Sequence, residues 1–188
     1  MKHQNIEPRR SFLVSTAGTT VALVAAVSSG CQDQPTDDRR LHFSSLAQAE
    51  EELIRLARAK ERISSATWSW AQTLAHCAQS VEYSMIGFPQ SKSKAFQRTV
   101  GLVAFEVFSW RGYMTHDLAE PIPGAPSLQA EADDNQALDR LRVAIRTFLA
   151  WPGELQPHFA YGQLDKREFE RAHAMHVANH LSFFGAKE

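Results

Sequence analysis

The stretch FERAHAMHVANHLSFFG, from Phe169 to Gly185, decides how the rest of the chain is read. As a helix it puts His173, His176 and His180 at i, i+3 and i+7, on one face. With Phe169 and Phe183 these histidines follow a four-three-four-three spacing, the rhythm of a seam that faces other helices. Unpaired imidazoles are costly to bury in such a seam, whereas a metal ion satisfies them. Two of them at i and i+4 point at a single ion without distorting the backbone. A metal site inside a helical domain is therefore the first expectation.

Working outward, Asp165 and Glu168 form a capping box that opens this helix, which is expected to run to Phe184 with Gly185 as its stop. Before it, Asp133 or Asp134 caps a helix whose seam is Leu138, Leu141, Ile145 and Phe148, ended by Pro152-Gly153. Nearer the start, Leu46, Ala49, Leu53, Leu56 and Ile63 recur at three- and four-residue steps, with Ser45 and Gln48 as a capping box. A further helix is expected from Thr67 to Ile86, closing at Gly87-Phe88-Pro89. One of its strips, Ala71, Leu74, Ala78, Val81 and Met85, is apolar. A second strip, Gln72, His76, Gln79 and Tyr83, is either a solvated face or the lining of an internal site, with Gln72, Gln79 or Tyr83 supporting ligands from behind.

Between these pairs lies a crossover, residues 87–132, with a helix of its own over Phe96 to Met114 and a proline-rich turn after Glu120. Trp110 and Phe105 read as core residues. His116 reads first as a surface or packing histidine, with approach to a site as the alternative. Four long amphipathic helices without an alternating strand pattern give an all-α four-helix bundle with a fifth, crossover helix.

Composition fits one such domain: 188 residues, 44% hydrophobic and 22% charged. The net charge of −1 includes Lys2, Arg9 and Arg10 against Glu7 in the first thirty residues. Beyond them stand 17 basic and 20 acidic residues, a net of −3, which argues against nucleic acid as a partner. Two cysteines, Cys31 and Cys77, make no disulfide framework, and the zinc-finger and redox spacings are absent.

The first thirty residues read as an export leader. Arg9 and Arg10 precede a modestly apolar run to Val27, resembling a twin-arginine signal, and the run is too interrupted for a spanning helix. It ends Val27-Ser28-Ser29-Gly30-Cys31, which resembles a lipobox with Cys31 as the lipidated residue, although Ser28 stands where Leu is usual and ordinary cleavage nearby is the alternative. Lipid at Cys31 is then the chain's membrane contact, through several acyl chains, since one alone anchors weakly. The expected organisation is leader 1–30, linker 31–44 and helical domain 45–188, in a periplasmic or membrane-anchored protein.

Several chemistries are excluded by spacing: no GxSxG elbow, Walker loop, HExxH or GxGxxG occurs. Glu170 and His173 make one Glu-x-x-His, but a di-iron bundle needs a second copy and the chain has none. A three-histidine site is favoured, His76 joining His176 and His180 and leaving a coordination position open for a catalytic ion. Zinc, nickel and ferrous iron all suit imidazole. Cys77, adjacent to His76, points round the helix and reads as a buried inert thiol.

From His76 and the pair His176-x-x-x-His180, the chain resembles the DinB-like superfamily of metal-binding four-helix bundles, and within it an uncharacterised bacterial family. The likeness covers about Leu46 to Gly185: Trp68 ahead of Leu74-Ala75-His76-Cys77, Ser80 to Ser84, the crossover Gly112 to Leu118, Ile122-Pro123-Gly124-Ala125-Pro126, and His180 to Gly185. It implies ligands at His76, His176 and His180, leaves His173 outside the pattern as a supporting or packing residue, and implies a long crossover between the second and third helices. Asn179 stands where many relatives carry another histidine. Superfamily members include thiol-dependent transferases and an isomerase. The expectations that follow are a metal-dependent hydrolase, isomerase or thiol transferase acting on a small molecule, a non-catalytic metal-binding protein of the envelope, or a bundle whose histidines only pack.

Overall fold

Helix α1 (Leu46–Arg58) starts where Ser45 leaves extended backbone and its hydroxyl accepts the Gln48 N–H at 3.4 Å, in a computed structural model that describes residues 38–129 and 132–187. The return bond is displaced by one residue: Gln48 Oε1 accepts the N–H of Ser44, at 2.7 Å, instead of that of Ser45. Leu46, Ala49, Leu53 and Leu56 are buried along one stripe, as their spacing requires. The stripe stops there, and Ile63, expected to continue it, is 44% exposed in a strand.

That strand, β1 (Glu61–Ser64), pairs antiparallel with β2 (Phe184–Lys187), Ile63 lying opposite Gly185. The protein is thus mostly helical with a two-stranded sheet, not purely helical. Four-residue strands are too short for alternation to register, so the pairing is invisible until the ends meet. Gly185 is correspondingly a strand residue and not the helix stop: a Cβ there would sit 2.9 Å from Ile63 Cγ1.

Helix α2 (Trp70–Ile86) begins three residues later than expected because Ser69 and Gln72 form the capping box, and it ends at Gly87, φ +103°. A short turn, α3 (Lys94–Phe96), runs through a π turn over Gln97–Gly101 into α4 (Leu102–Arg111), which Gly112 terminates at φ +75°. Helix α5 (Asp134–Ala150) is capped by Asp133, whose carboxylate accepts the Gln136 N–H at 2.8 Å. Helix α6 (Lys166–Leu181) carries the Asp165–Glu168 capping box with both bonds formed. Counting α3, the π turn and α4 as one, five helical segments are present among the described residues.

Helix α2 lies against α5 and α6, and α1 against α6 and α5. Leu53, Leu74, Leu141, Ile145, Phe148 and Phe169 fill the space between them, all fully buried. At the rim Arg142 Nε meets Glu50 Oε1 at 2.9 Å, tying α5 to α1, and Arg140 grips Glu82 of α2 with two bonds of 2.9 and 2.7 Å.

The crossover helix corrects one expectation. Phe105 is core, 2% exposed, but Trp110 is 85% exposed beside Val100, Val103 and Val107. A helix apolar all round gives no periodic clue to which stripe is covered, and only the Phe105 side of α4 is. What seats this segment is Gly101: a Cβ there would stand 2.0 Å from the carbonyl oxygen of Ala160.

At the start of the described chain, Arg39 N–H donates to Ser182 O at 3.0 Å and Leu41 N–H to Ser182 Oγ at 2.9 Å, while Phe43 is buried. These bonds hold residues 39–43 against the end of α6. The leader, its arginine pair and Cys31 lie outside the described residues, and among those described no helix is long and apolar enough to cross a membrane.

Candidate metal centre

His76 stands in the middle of α2, and His176 and His180 one turn apart on α6, the helix that packs against it. Their ring centroids are 5.0 Å apart for His76 and His176, and 4.8 Å for the other two pairs. One nitrogen from each lies within 4.8 Å of the others, and the group consists of histidines alone. His76 and His180 are each 2% exposed, and His176 is half-buried.

Their nitrogens converge and are also unpartnered, a state that His116 Nε2 and His173 Nε2 share without belonging to the group. His76 Nδ1 and Nε2, His176 Nε2 and His180 Nε2 are all buried without a hydrogen-bond partner. Orphaned buried polar atoms are costly and need a reason. Burial, reinforced by the neighbouring His116 imidazole, pushes the His76 pKa down to about 3. Burial first and neighbouring imidazoles second hold His176 and His180 well below the ordinary histidine range. At neutral pH the rings are therefore uncharged and carry free lone pairs, the form in which histidine binds a metal. Buried, neutral, convergent nitrogens without a carboxylate fit a divalent ion of the zinc, nickel or iron kind.

A cavity of about 310 Å³ adjoins the cluster, lined by His76, His116, His158, Tyr161, His173 and His176 among others. His116, expected first at the surface, is in fact beside the three: its ring stacks on His176 at 4.9 Å and 15° and lies 5.0 Å from His180. Nothing in its spacing could show this, because a crossover loop delivers it. Ser80, one turn beyond His76, also lines the cavity, and its i+4 position was the available signal.

Other expected lining residues are placed elsewhere. Gln72 is consumed by the capping box, its Oε1 accepting the Ser69 N–H at 3.1 Å. Gln79 Nε2 donates to Pro126 O at 3.2 Å, holding the end of the crossover. Tyr83 packs its ring on Phe88 at 5.8 Å. None of the three lines the cavity. His173 does line it, yet packs between Phe148 and Phe169 at 5.2 and 5.6 Å, and burial pushes its pKa down to about 3. Cys77 is fully buried, its thiol pushed well above the ordinary range by burial, as an inert core thiol should be.

One aromatic was missed as a site residue. Trp68, two residues before α2, lies 4.8 Å from His76 and stacks parallel over His180 at 6.0 Å. It covers the His76 and His180 rings, and sitting outside any helix it has no periodic signal.

No curated protein and no solved structure matches the chain. A family model does, over residues 35–187, so the helices, the sheet and the histidine cluster all fall inside the match, and the chain belongs to the family described as Protein of unknown function (DUF1569).

Proposed function

We propose that His76, His176 and His180 hold a divalent metal ion, zinc, nickel or iron, in a bundle of DinB-like topology. The observation that carries this is the convergence of buried, neutral nitrogens with no partner in the protein. An ion held by three imidazoles supplies Lewis acidity at a position they leave open. The adjoining cavity of about 310 Å³ has the size of a small-molecule site and brings a ligand to His176, which supports a metal-dependent hydrolase, isomerase or thiol transferase. The chain's residues would orient that ligand between the histidines and Tyr161, with Trp68 limiting water behind the cluster.

The second reading, a non-catalytic metal-binding protein of the envelope, is favoured by one observation: His116 stands against two of the three histidines, where a protein group can take the place of a substrate. In both readings the leader with Arg9-Arg10 sends the chain out by the twin-arginine route and Cys31 carries lipid.

Elemental analysis of the purified protein tests the site. Wild type should carry close to one equivalent of metal and His180→Ala almost none. A metal-free wild type that takes up no added zinc, or full metal in the variant, sinks the proposal. Turnover abolished by a chelator and restored by metal would decide for the enzyme. Unmodified Cys31 by mass spectrometry, in protein that stays in the aqueous fraction, would end the lipid anchor.

A further inference from the structure

We infer that His116 is a fourth protein ligand of this centre, brought to it by the crossover loop; the inference rests on the three-histidine reading and extends it. His116 Nδ1 lies 2.8 Å from the carbonyl oxygen of Asp117. A carbonyl only accepts, so Nδ1 carries the proton and Nε2 carries the lone pair. That Nε2 is buried and has no partner, like the facing nitrogens of His176 and His180. A ring nitrogen donated to a backbone carbonyl, with the other left free, is the arrangement that orients metal-binding histidines.

The ring centroids agree, although the nitrogens that lie within 4.8 Å of one another are those of His76, His176 and His180. Imidazoles bound at about 2.0–2.1 Å to one ion have centroids roughly 5 Å apart. The spacings are 4.9 Å from His116 to His176 and 5.0 Å from His116 to His180, alongside 4.8 to 5.0 Å among the three others. His116 is also placed firmly. Met114, Leu118 and Ile122 on either side are buried anchors, and the Ala119 N–H closes a turn on Asp117 Oδ1 at 2.8 Å. Gly124, φ +73°, turns the chain back, and Gln79 holds it at Pro126. A loop so tied, presenting an imidazole with one unpartnered nitrogen to a histidine cluster, has the form of a ligand carrier.

Two consequences follow. The resting centre is bound by protein nitrogens at four positions, so a small molecule reaches the ion by displacing His116 or by raising the coordination to five. Loop and ion are also coupled: a bound metal adds one more tie to residues 112–126, through His116.

X-ray absorption on the zinc-loaded full chain counts the imidazoles. Wild type should show four, and His116→Ala should show one fewer, with a water oxygen in its place and zinc more easily taken by a chelator. Zinc should protect residues 112–126 from protease in wild type and not in the variant. Three imidazoles in wild type, unchanged in His116→Ala, overturns this inference and leaves the three-histidine site standing. Failure of wild type to take up zinc overturns both. The wild-type count stands alone should the alanine variant not fold, and His116→Gln then serves for the protease comparison.

Discussion

His116 and His158 both line the cavity, both sit in loops and both have pKa values lowered by burial, yet they are wired in opposite senses. His158 Nδ1 accepts the N–H groups of Ala160 and Tyr161, each at 3.2 Å, so its proton is on Nε2 and its lone pair is already used. Its backbone is locked as well, exchanging bonds of 2.7 and 3.0 Å with Gly162, and its ring stacks on Tyr161 at 4.3 Å. His116 gives its proton to Asp117 and keeps a buried lone pair that nothing takes up. Burial alone therefore does not mark a ligand. An unpartnered nitrogen inside the cluster does: by that measure His76, His176 and His180 group with His116, His158 belongs to the scaffold, and His173, whose Nε2 is also unpartnered, stays with the packing because its ring lies between Phe148 and Phe169.

The contrast is easiest to break at the metal. His176→Ala should lose essentially all bound metal, whereas His158→Ala should retain it, both measured by elemental analysis after matched purification. Loss of metal in both, with the fold intact by circular dichroism, would erase the distinction.

On stability the order reverses. His158→Phe keeps the ring but strips the acceptor from two backbone N–H groups, and should cost about 1–3 kcal/mol in denaturant unfolding. Gly101→Ala presses on the same loop from the other side, through the Ala160 carbonyl, and should cost about 1–3 kcal/mol as an overpacked contact. Wild-type stability in either variant would show that the loop gives way freely.

The pH dependence sharpens the comparison further. Buried His158 has its pKa pushed down to about 3 from an unfolded value of about 6.5, so the unfolded chain takes up the proton first as pH falls. The stability it contributes is full above pH ~6.5 and is lost progressively as pH falls toward 3. Metal-free protein should destabilise over that window, and His158→Phe should flatten the slope by about one proton. An unchanged slope would mean that His158 is already solvated in the fold.

The smallest effect is expected on the exposed face of α4. Trp110→Ser, at a side chain 85% exposed, should change stability by less than about 0.5 kcal/mol and leave metal content unchanged. A larger loss would mean that Trp110 has a partner in solution.

Much of this was legible because helices announce themselves. The caps at Ser45, Asp133 and Asp165 fall at helix starts, and the stripe through Leu53 and Leu56 is buried as its period requires. His176 and His180 could be paired from spacing alone, since one turn of helix fixes their proximity. The β1–β2 pairing could not, because two four-residue strands 120 residues apart carry no local pattern. Nor could the fates of Gln72 and Gln79, each decided by the backbone group that comes within its reach.

The amino-acid sequence by itself determined a mostly helical protein with two histidines one turn apart on its last helix, because both depend on contacts three and four residues away. Only the tertiary structure decided that His76 meets them, that Trp68 and His116 flank them, and that His158 does not compete. Those outcomes rest on how α2 packs on α6 and where the crossover loop is tied, and on hydrogen bonds that decide which nitrogen of each ring is left with a lone pair.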